Sequence, residues 1–216
     1  MHLDIFSDTI CPWCYVGKRR LARALAARPQ PKLAIRWRAF QLNPGMPAEG
    51  MIRERYIDAK FGSSERAKRI YEAVSAVGAS EGISFNFEAI RRTPNTILSH
   101  RLLRKASKEG LQDPLLEAMF QAYFVDGRDI GSARVLAEIG ESVGLKNAGG
   151  YLASDEGGEE VRAEDSLARR QGINGVPCFI FNYRFLLSGA QEPESFFQLF
   201  DLAREEEAGA LRESAG

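Results

Sequence analysis

The sequence predicts an α/β fold that is interrupted by a large helical insertion. Three observations indicate this class. A strand-like run, a helix-like run and a second strand-like run open the chain, helical spacing continues almost throughout residues 48–171, and two strand-like runs with a final helix close it. A strand–helix–strand start implies a parallel strand pair with a right-handed crossover. We therefore expect the first and last parts to form one α/β unit that the helical block splits.

Proline and alternation mark the first three elements. Residues 2–6 are apolar enough for a short strand, Pro12 suits the first turn of a helix, and Pro29 ends that helix. Residues 32–42 alternate between apolar and basic side chains, which is typical of a strand with two different faces. The basic run Lys18-Arg19-Arg20 is expected on a solvated face of the helix.

Glycine and turn residues divide the rest of the chain. Several helix-like runs end just before a glycine, which favours the left-handed conformation after a last helical turn; these are Gly82, Gly110, Gly144 and Gly172. Residues 177–181 and 184–188 predict a hairpin with a turn near Asn182-Tyr183, and a last helix follows.

These elements predict three parts. Residues 1–47 and 172–203 form the α/β domain, residues 48–171 form an inserted helical subdomain with a connecting helix, and residues 204–216 form a polar tail that frays.

Composition favours a globular protein without a charged partner. The 216 residues carry 29 Lys and Arg against 29 Asp and Glu, so nothing suggests binding to nucleic acid or to an anionic membrane. No segment approaches the ~20 apolar residues that cross a bilayer. The acidic N-terminal segment is unlike a secretory signal, so, taken as the native start, it predicts a cytoplasmic protein.

The motif Cys11-Pro12-Trp13-Cys14 carries the strongest chemical signal. It follows a predicted strand and begins a predicted helix, which is the setting of a redox dithiol. The helix N-terminus favours the thiolate of Cys11, which is the species that attacks a disulfide. Cys14, one turn further on, is expected to be less exposed than Cys11 and to resolve the mixed disulfide, while the Pro12-Trp13 insert tunes the potential.

A metal site is the main alternative for this pair. A closed zinc site needs four ligands. The remaining candidates are Cys178, His2 and His100, which contain no second close pair. We therefore expect no metal and favour redox chemistry. His100 itself lies in a helix-like run and is interpreted as a capping or packing residue.

Three further residues keep two interpretations each. Cys178 is either a small buried residue of a core strand or a third redox sulfur that faces Cys11. Asp4 or Asp8 is either a buried proton acceptor for Cys14 or an exposed or capping residue.

Five separated segments resemble the DsbA family of thioredoxin-like proteins, most closely its cytosolic FrnE-like branch, which is related to hydroxychromene-carboxylate isomerase and kappa-class glutathione transferase. The segments are SDTICPWCYVGKRRL at residues 7–21, WRAFQLNP at 37–44, AYFVDGRDI at 122–130, GINGVP at 172–177 and LSGAQ at 187–191. The resemblance implies a thioredoxin fold with a large helical insertion. It also implies thiol–disulfide oxidoreductase or isomerase activity and a cis Pro177 opposite the dithiol.

The Val176–Pro177 segment has a functional and a plain interpretation. Pro177 removes a main-chain donor near the dithiol, so the main chain of Val176 can pair with an extended substrate. Alternatively, Pro177 only begins a strand.

The sequence does not decide which class of substrate the protein uses. We expect disulfide-containing or thiol proteins and peptides, with glutathione as a co-substrate and a small aromatic metabolite as a further option, and no tightly bound cofactor. Aromatic residues of the helical block that line the dithiol would form an apolar groove for such substrates. The chain would act as a monomer or a homodimer.

Two other functions compete with the redox one. The first is glutathione-dependent transfer or isomerisation, although the relatives with that activity resemble this chain with a serine where Cys11 stands and without the second cysteine. The second is a holdase that binds clients in the apolar groove without catalysis.

Overall fold

A four-stranded mixed sheet forms the base of the fold. The computed structural model describes the backbone of residues 1–213 and the side chains of residues 1–209. The strands are β1 (His2–Ser7), β2 (Ala34–Ala39), β5 (Cys178–Phe181) and β6 (Phe185–Ser188), in the spatial order β2-β1-β5-β6. Strands β1 and β2 are parallel, as the sequence predicts, and β5 and β6 run antiparallel to their neighbours.

Nine helices are described in residues 1–213. They are α1 (Pro12–Ala27), α2 (Arg53–Phe61), α3 (Ser64–Ser80), α4 (Ile97–Lys108), α5 (Gln112–Phe124), α6 (Ala133–Ser142), α7 (Ala148–Ala153), α8 (Gly158–Arg170) and α9 (Ser195–Glu213). A short 3-10 helix, Phe87–Ala89, lies between α3 and α4. No described helix has both the length and the apolar character that a bilayer crossing requires.

The helical block also contains a small sheet that the sequence analysis missed. Strand β3 (Met51–Ile52) pairs with β4 (Arg92–Thr93) in antiparallel orientation. Two-residue strands are too short to show a period of two. Gly50, with φ of +72°, makes the approach possible, because a Cβ there would lie 2.7 Å from the carbonyl oxygen of Thr93.

Hairpin and helix ends follow the local chemistry. Asn182 and Tyr183 both have positive φ, and Arg184 N–H donates to the carbonyl of Phe181 at 2.9 Å, which closes a type I′ turn. Gly82 and Gly110 follow α3 and α4 with φ of +74° and +72°, as their spacing predicts.

The predicted tail is wrong over residues 204–213, which continue α9 instead of fraying. This part of α9 is held against the sheet domain, since Asn182 donates to the carbonyl of Ala203 and Glu207 pairs with the N-terminal ammonium group. Residues 214–216 lie outside the described part of the chain.

One apolar core extends from the sheet into the helical block. Leu3 and Ile5 of β1, Val16 of α1, Leu102 of α4 and Phe120 of α5 are all buried in it. Helices α4, α5 and α8 pack against β2. The division at residues 47 and 172 stays a prediction, and the core is continuous across it.

The basic run on α1 does not lie on a solvated face, which corrects the sequence interpretation. Arg20 is buried and donates from Nε to Glu81 at 3.0 Å, while Lys18 and Arg19 pair with Glu117 at 3.0 and 2.5 Å. The run joins α1 to α3 and α5 because the insertion brings carboxylates over it. The spacing of residues along one helix does not indicate charged partners that lie about 60 and 100 positions away in the sequence.

Replacing Glu81 tests whether the ion pairs between α1 and the helical insertion stabilise the fold. The Glu81 carboxylate is 1% exposed and pairs with Arg20 and Arg23, so Glu81→Gln leaves the buried guanidinium of Arg20 with only exposed Glu192 as a charged partner. We expect the free energy of unfolding in urea to fall by about 2–3 kcal/mol. The matched control is Glu72→Gln on α3, the helix that ends just before Glu81; the Glu72 side chain is 63% exposed and 4.0 Å from Lys68. An equal loss of unfolding free energy in both variants would contradict a stabilising role for the ion pair of Arg20 with Glu81.

Candidate active site

The two cysteines of the motif lie at the start of α1. Cys11 is the residue before the helix, with extended φ and ψ of −94° and 110°, and Pro12 is the first helical residue. Cys14 N–H donates to the carbonyl of Cys11 at 3.0 Å. All three cysteines of the chain are free thiols. Cys11 therefore lies where the unpaired N–H groups of α1 and its dipole favour a negative charge.

Both sulfur-bearing residues are buried, Cys11 with 4% of its surface exposed and Cys14 with none. The order of exposure is the predicted one, but the difference is small. Of the two residues between them, Trp13 is 37% exposed and Pro12 is half-buried. The insert therefore forms the outer face of the dithiol turn.

The environment of Cys14 holds it as a thiol. Burial raises the pKa of Cys14 well above its usual range, and the neighbouring Cys11 raises it further. The Ser7 hydroxyl and the main chain of Asp8 act in the opposite direction, because they stabilise the thiolate. Cys14 thus needs a proton acceptor before it can attack a disulfide.

Pro177 packs against the first turns of α1. The Cys11 thiol donates to the carbonyl oxygen of Val176 at 3.6 Å, and the Val176–Pro177 peptide bond is cis. Gly17 permits this contact, since a Cβ at that position would lie 2.9 Å from Pro177 Cγ and 3.3 Å from Phe179 Cζ. Sequence analysis missed Gly17. A glycine three residues after Cys14, within a helix, is the signal that marks it.

Cys178 does not lie with the dithiol. Side chains alternate along β5, so Phe179 joins the large core that contains Cys11 and Cys14, whereas Cys178 joins a second cluster. The other buried members of that cluster are Phe6, Phe40, Ala168 and Ile173. Burial raises the pKa of the Cys178 thiol to about 11. This placement favours the packing interpretation over the redox one.

The two aspartates have different surroundings. Asp4 pairs with His2 at 3.1 Å and lies 3.6 Å from Arg36, away from the dithiol turn. Asp8 is fully buried, and its Oδ2 accepts from Leu42 N–H at 2.7 Å. Its Oδ1 lies 3.4 Å from Nε2 of His100. No pattern in the sequence indicates this contact between residues 92 positions apart.

A cavity of about 840 Å³ lies between α2, α3 and residues 85–91. Its walls include Tyr71, whose ring stacks on Phe87 at 4.4 Å, and Phe85. Phe85 contacts Tyr15, the residue after Cys14, edge-on at 6.0 Å. An aromatic groove therefore borders the helix that carries the dithiol.

Metal ligands are not clustered. Within residues 1–209, no three His, Cys, Asp or Glu side chains converge in the way that a metal ion needs.

Comparison with known proteins agrees with this geometry. The probable DsbA oxidoreductase SCO1869 from Streptomyces coelicolor is 33% identical, with 95% of this chain and 91% of that chain aligned and a TM-score of 0.85. The cytosolic disulfide reductase DsbM from Pseudomonas aeruginosa, in its structure with GSH, shares the fold at 21% identity and a TM-score of 0.63, over 98% of this chain and all of that chain.

A curated relative and a family model complete the comparison. The uncharacterized protein YwbO of Bacillus subtilis is 24% identical over 188 residues, which cover 83% of this chain and 86% of that protein. The model of the DSBA-like thioredoxin domain matches residues 2–201. The strand order, the helical insertion and these matches confirm the resemblance drawn from the sequence, and the chain belongs to the family of DsbA-like thioredoxin domains.

Proposed function

We propose that this protein is a thiol–disulfide oxidoreductase or isomerase that works through the Cys11–Cys14 dithiol. The observation that carries the proposal is the pair of free thiols at the N-terminus of α1, with the Cys11 thiol turned to the carbonyl of Val176 at 3.6 Å. Oxidoreductase neighbours of the same fold support it.

The reaction runs in two balanced steps. The Cys11 thiolate attacks a substrate disulfide, forms a mixed disulfide and releases one substrate sulfur as a thiolate. The Cys14 thiolate then attacks the Cys11 sulfur, which releases the second substrate sulfur and leaves the Cys11–Cys14 disulfide. Two electrons pass to the substrate. The reverse sequence oxidises a dithiol substrate, and the potential of the compartment sets the direction.

Substrate recognition uses main chain and aromatic surface. The main chain of Val176 is next to Cys11 and suits pairing with an extended peptide, since Pro177 has no N–H to donate. The aromatic groove bordered by Phe85 and Tyr71 suits apolar side chains of a client or a small aromatic metabolite. Proteins, peptides and small thiols are all compatible with these two surfaces.

We further propose a cytoplasmic protein that uses glutathione as a co-substrate and no tightly bound cofactor. The fold shared with cytosolic DsbM, which has been solved with GSH, supports the cytoplasmic location and the use of glutathione. A monomer and a homodimer are equally compatible with the mechanism.

The competing functions make different demands. A glutathione transferase or isomerase of the kappa or hydroxychromene-carboxylate type does not need Cys14, and a holdase needs neither cysteine. The presence of a second free thiol, buried Cys14, in the first turn after Cys11 favours the redox function. Insulin reduction that disappears in Cys14→Ser, and aggregation suppression that disappears in Cys11→Ala, would exclude the two alternatives in turn.

Trapping the first intermediate tests the two-step mechanism. Reduced Cys14→Ser is mixed with oxidised glutathione, and Cys11 is expected to retain one glutathionyl group, because the resolving sulfur is missing. The wild type is expected to release the glutathionyl group again and to end as the Cys11–Cys14 disulfide, which is two hydrogens lighter than the reduced protein. Intact-mass and peptide-mass measurements distinguish these products. A persistent adduct on the wild type, or an adduct on Cys178, would contradict the assigned roles.

Cys178 is expected to take no part in electron transfer. Because it packs with Phe6 and Phe40 in the second cluster, Cys178→Ala is predicted to shift the two-electron potential by less than about 10 mV. It is expected to lower the free energy of unfolding by about 1 kcal/mol through the small cavity that it leaves. Equilibration with glutathione buffers measures the potential. A shift above about 30 mV, equivalent to about 1.4 kcal/mol, would assign Cys178 a redox role.

A further inference from the structure

The resolving step of the proposed function requires a proton to leave a buried sulfur. Cys14 has no exposed surface, so bulk water cannot take the proton directly. The Ser7 hydroxyl and the main chain of Asp8 are the groups that act to lower the pKa of the Cys14 thiol, and Ser7 Oγ is buried without a hydrogen-bond partner within residues 1–209. A route from Cys14 to solvent must therefore pass the β1–α1 connection.

A cavity of about 300 Å³ lies on the far side of that connection. Ser7, Thr9 and His100 line it, so the cavity reaches both Ser7, which acts to lower the pKa of Cys14, and an imidazole. Its volume and polar walls suit several hydrogen-bonded waters. The cavity extends between β2 and α4, where Arg36 and Lys108 line it.

His100 and Asp8 form a buried pair at this cavity. His100 Nε2 and Asp8 Oδ1 are 3.4 Å apart, which is ion-pair distance. Neither atom has a hydrogen-bond partner of ideal geometry within residues 1–209. The pair is held in register, because the Ser99 and Thr9 hydroxyls lie 2.7 Å apart and join α4 to the same loop. The pair therefore places an unpartnered imidazole nitrogen beside a carboxylate at the wall of a polar cavity, where the ring can exchange a proton with cavity water.

Other charges face the pair from the elements around it. These are Arg36 and Arg38 of β2, Arg104 and Lys108 of α4, and Glu164 of α8. Each cation of this set has a carboxylate partner: Arg38 lies 2.7 Å from Glu164, Arg36 3.6 Å from Asp4, Arg104 3.8 Å from Glu160 and Lys108 3.5 Å from Glu156. The cavity is therefore lined by paired charges, and His100 and Asp8 are the pair nearest the β1–α1 connection.

We propose that His100, provided by the helical insertion and paired with Asp8, accepts the proton that Cys14 loses when it resolves the mixed disulfide. The proton passes from the Cys14 thiol by way of the Ser7 hydroxyl and cavity water to Nε2 of His100, and the electron pair stays on the Cys14 sulfur for its attack on Cys11. Protonated His100 returns the proton to the cavity water. When Cys14 is the leaving group in the reverse reaction, the proton follows the same path back. His100 touches neither reacting sulfur and is therefore a positioning residue for the proton.

Single turnover with Ellman's reagent separates the two steps. Attack by Cys11 releases the first thionitrobenzoate and attack by Cys14 releases the second, and stopped-flow absorbance records both in a Cys178→Ala background. In His100→Gln, the second release is expected to be about 10²-fold slower than in the wild type near neutral pH and to approach the wild-type rate at high pH, where hydroxide replaces the acceptor. The first release is expected to change less than about twofold, which also reports that the variant is folded.

Two further variants sharpen the test. His100→Ala opens space beside the cavity, and added imidazole is expected to restore the second release in proportion to the neutral imidazole present. The matched control is His2→Gln, which removes the other histidine, paired with Asp4, and should leave both releases unchanged. A second release that slows equally at every pH, or that imidazole does not restore, would overturn the role of His100. A wild type without any second release would overturn the proposed function itself.

Discussion

Burial of the β1–α1 connection is the constraint on which the candidate site depends. Residues 7–11 are each at most 8% exposed, although three of them are polar. Contacts from elsewhere in the chain hold the connection: Phe40 N–H donates to the carbonyl of Ser7 at 3.1 Å, Leu42 N–H donates to Asp8 Oδ2, and Thr9 contacts Ser99, whereas Ser7 Oγ and Asp8 Oδ1 have no hydrogen-bond partner within residues 1–209. A short loop that is fixed from three sides positions two thiols with little freedom, which suits chemistry that requires sulfur atoms in line.

The insertion is part of this site and not an appendage to it. Buried Glu81 neutralises Arg20 on α1, and the ring of Phe120 stacks on Tyr15 at 4.9 Å. From the opposite side, Gly17 allows Pro177 to contact the same helix. Helix α1 is therefore held between the sheet domain and the helical block. Changes in the packing of either part can reach the dithiol through this helix, and also through the contacts of Thr9 with Ser99 and of Cys11 with Val176.

The sequence predicts the local features well and the long-range contacts poorly. The dithiol turn, the parallel β1–β2 pair and the hairpin at Asn182 follow from spacing and turn chemistry, which are local. The pairing of Arg20 with Glu81 and the contact of His100 with Asp8 depend on how α3 and α4 pack, and single-sequence periodicity does not encode that. The tail at 204–213 was misjudged because polarity alone does not distinguish a frayed end from the exposed face of a docked helix.

The most direct test of the account is the redox equilibrium of the Cys11–Cys14 pair in glutathione buffers of known potential. The account predicts a reversible two-electron transition, confined to the peptide that contains both cysteines, with a midpoint between about −270 and −120 mV. It would be contradicted by a pair that forms no internal disulfide at any potential, or by oxidation that stops at a glutathione adduct on one sulfur.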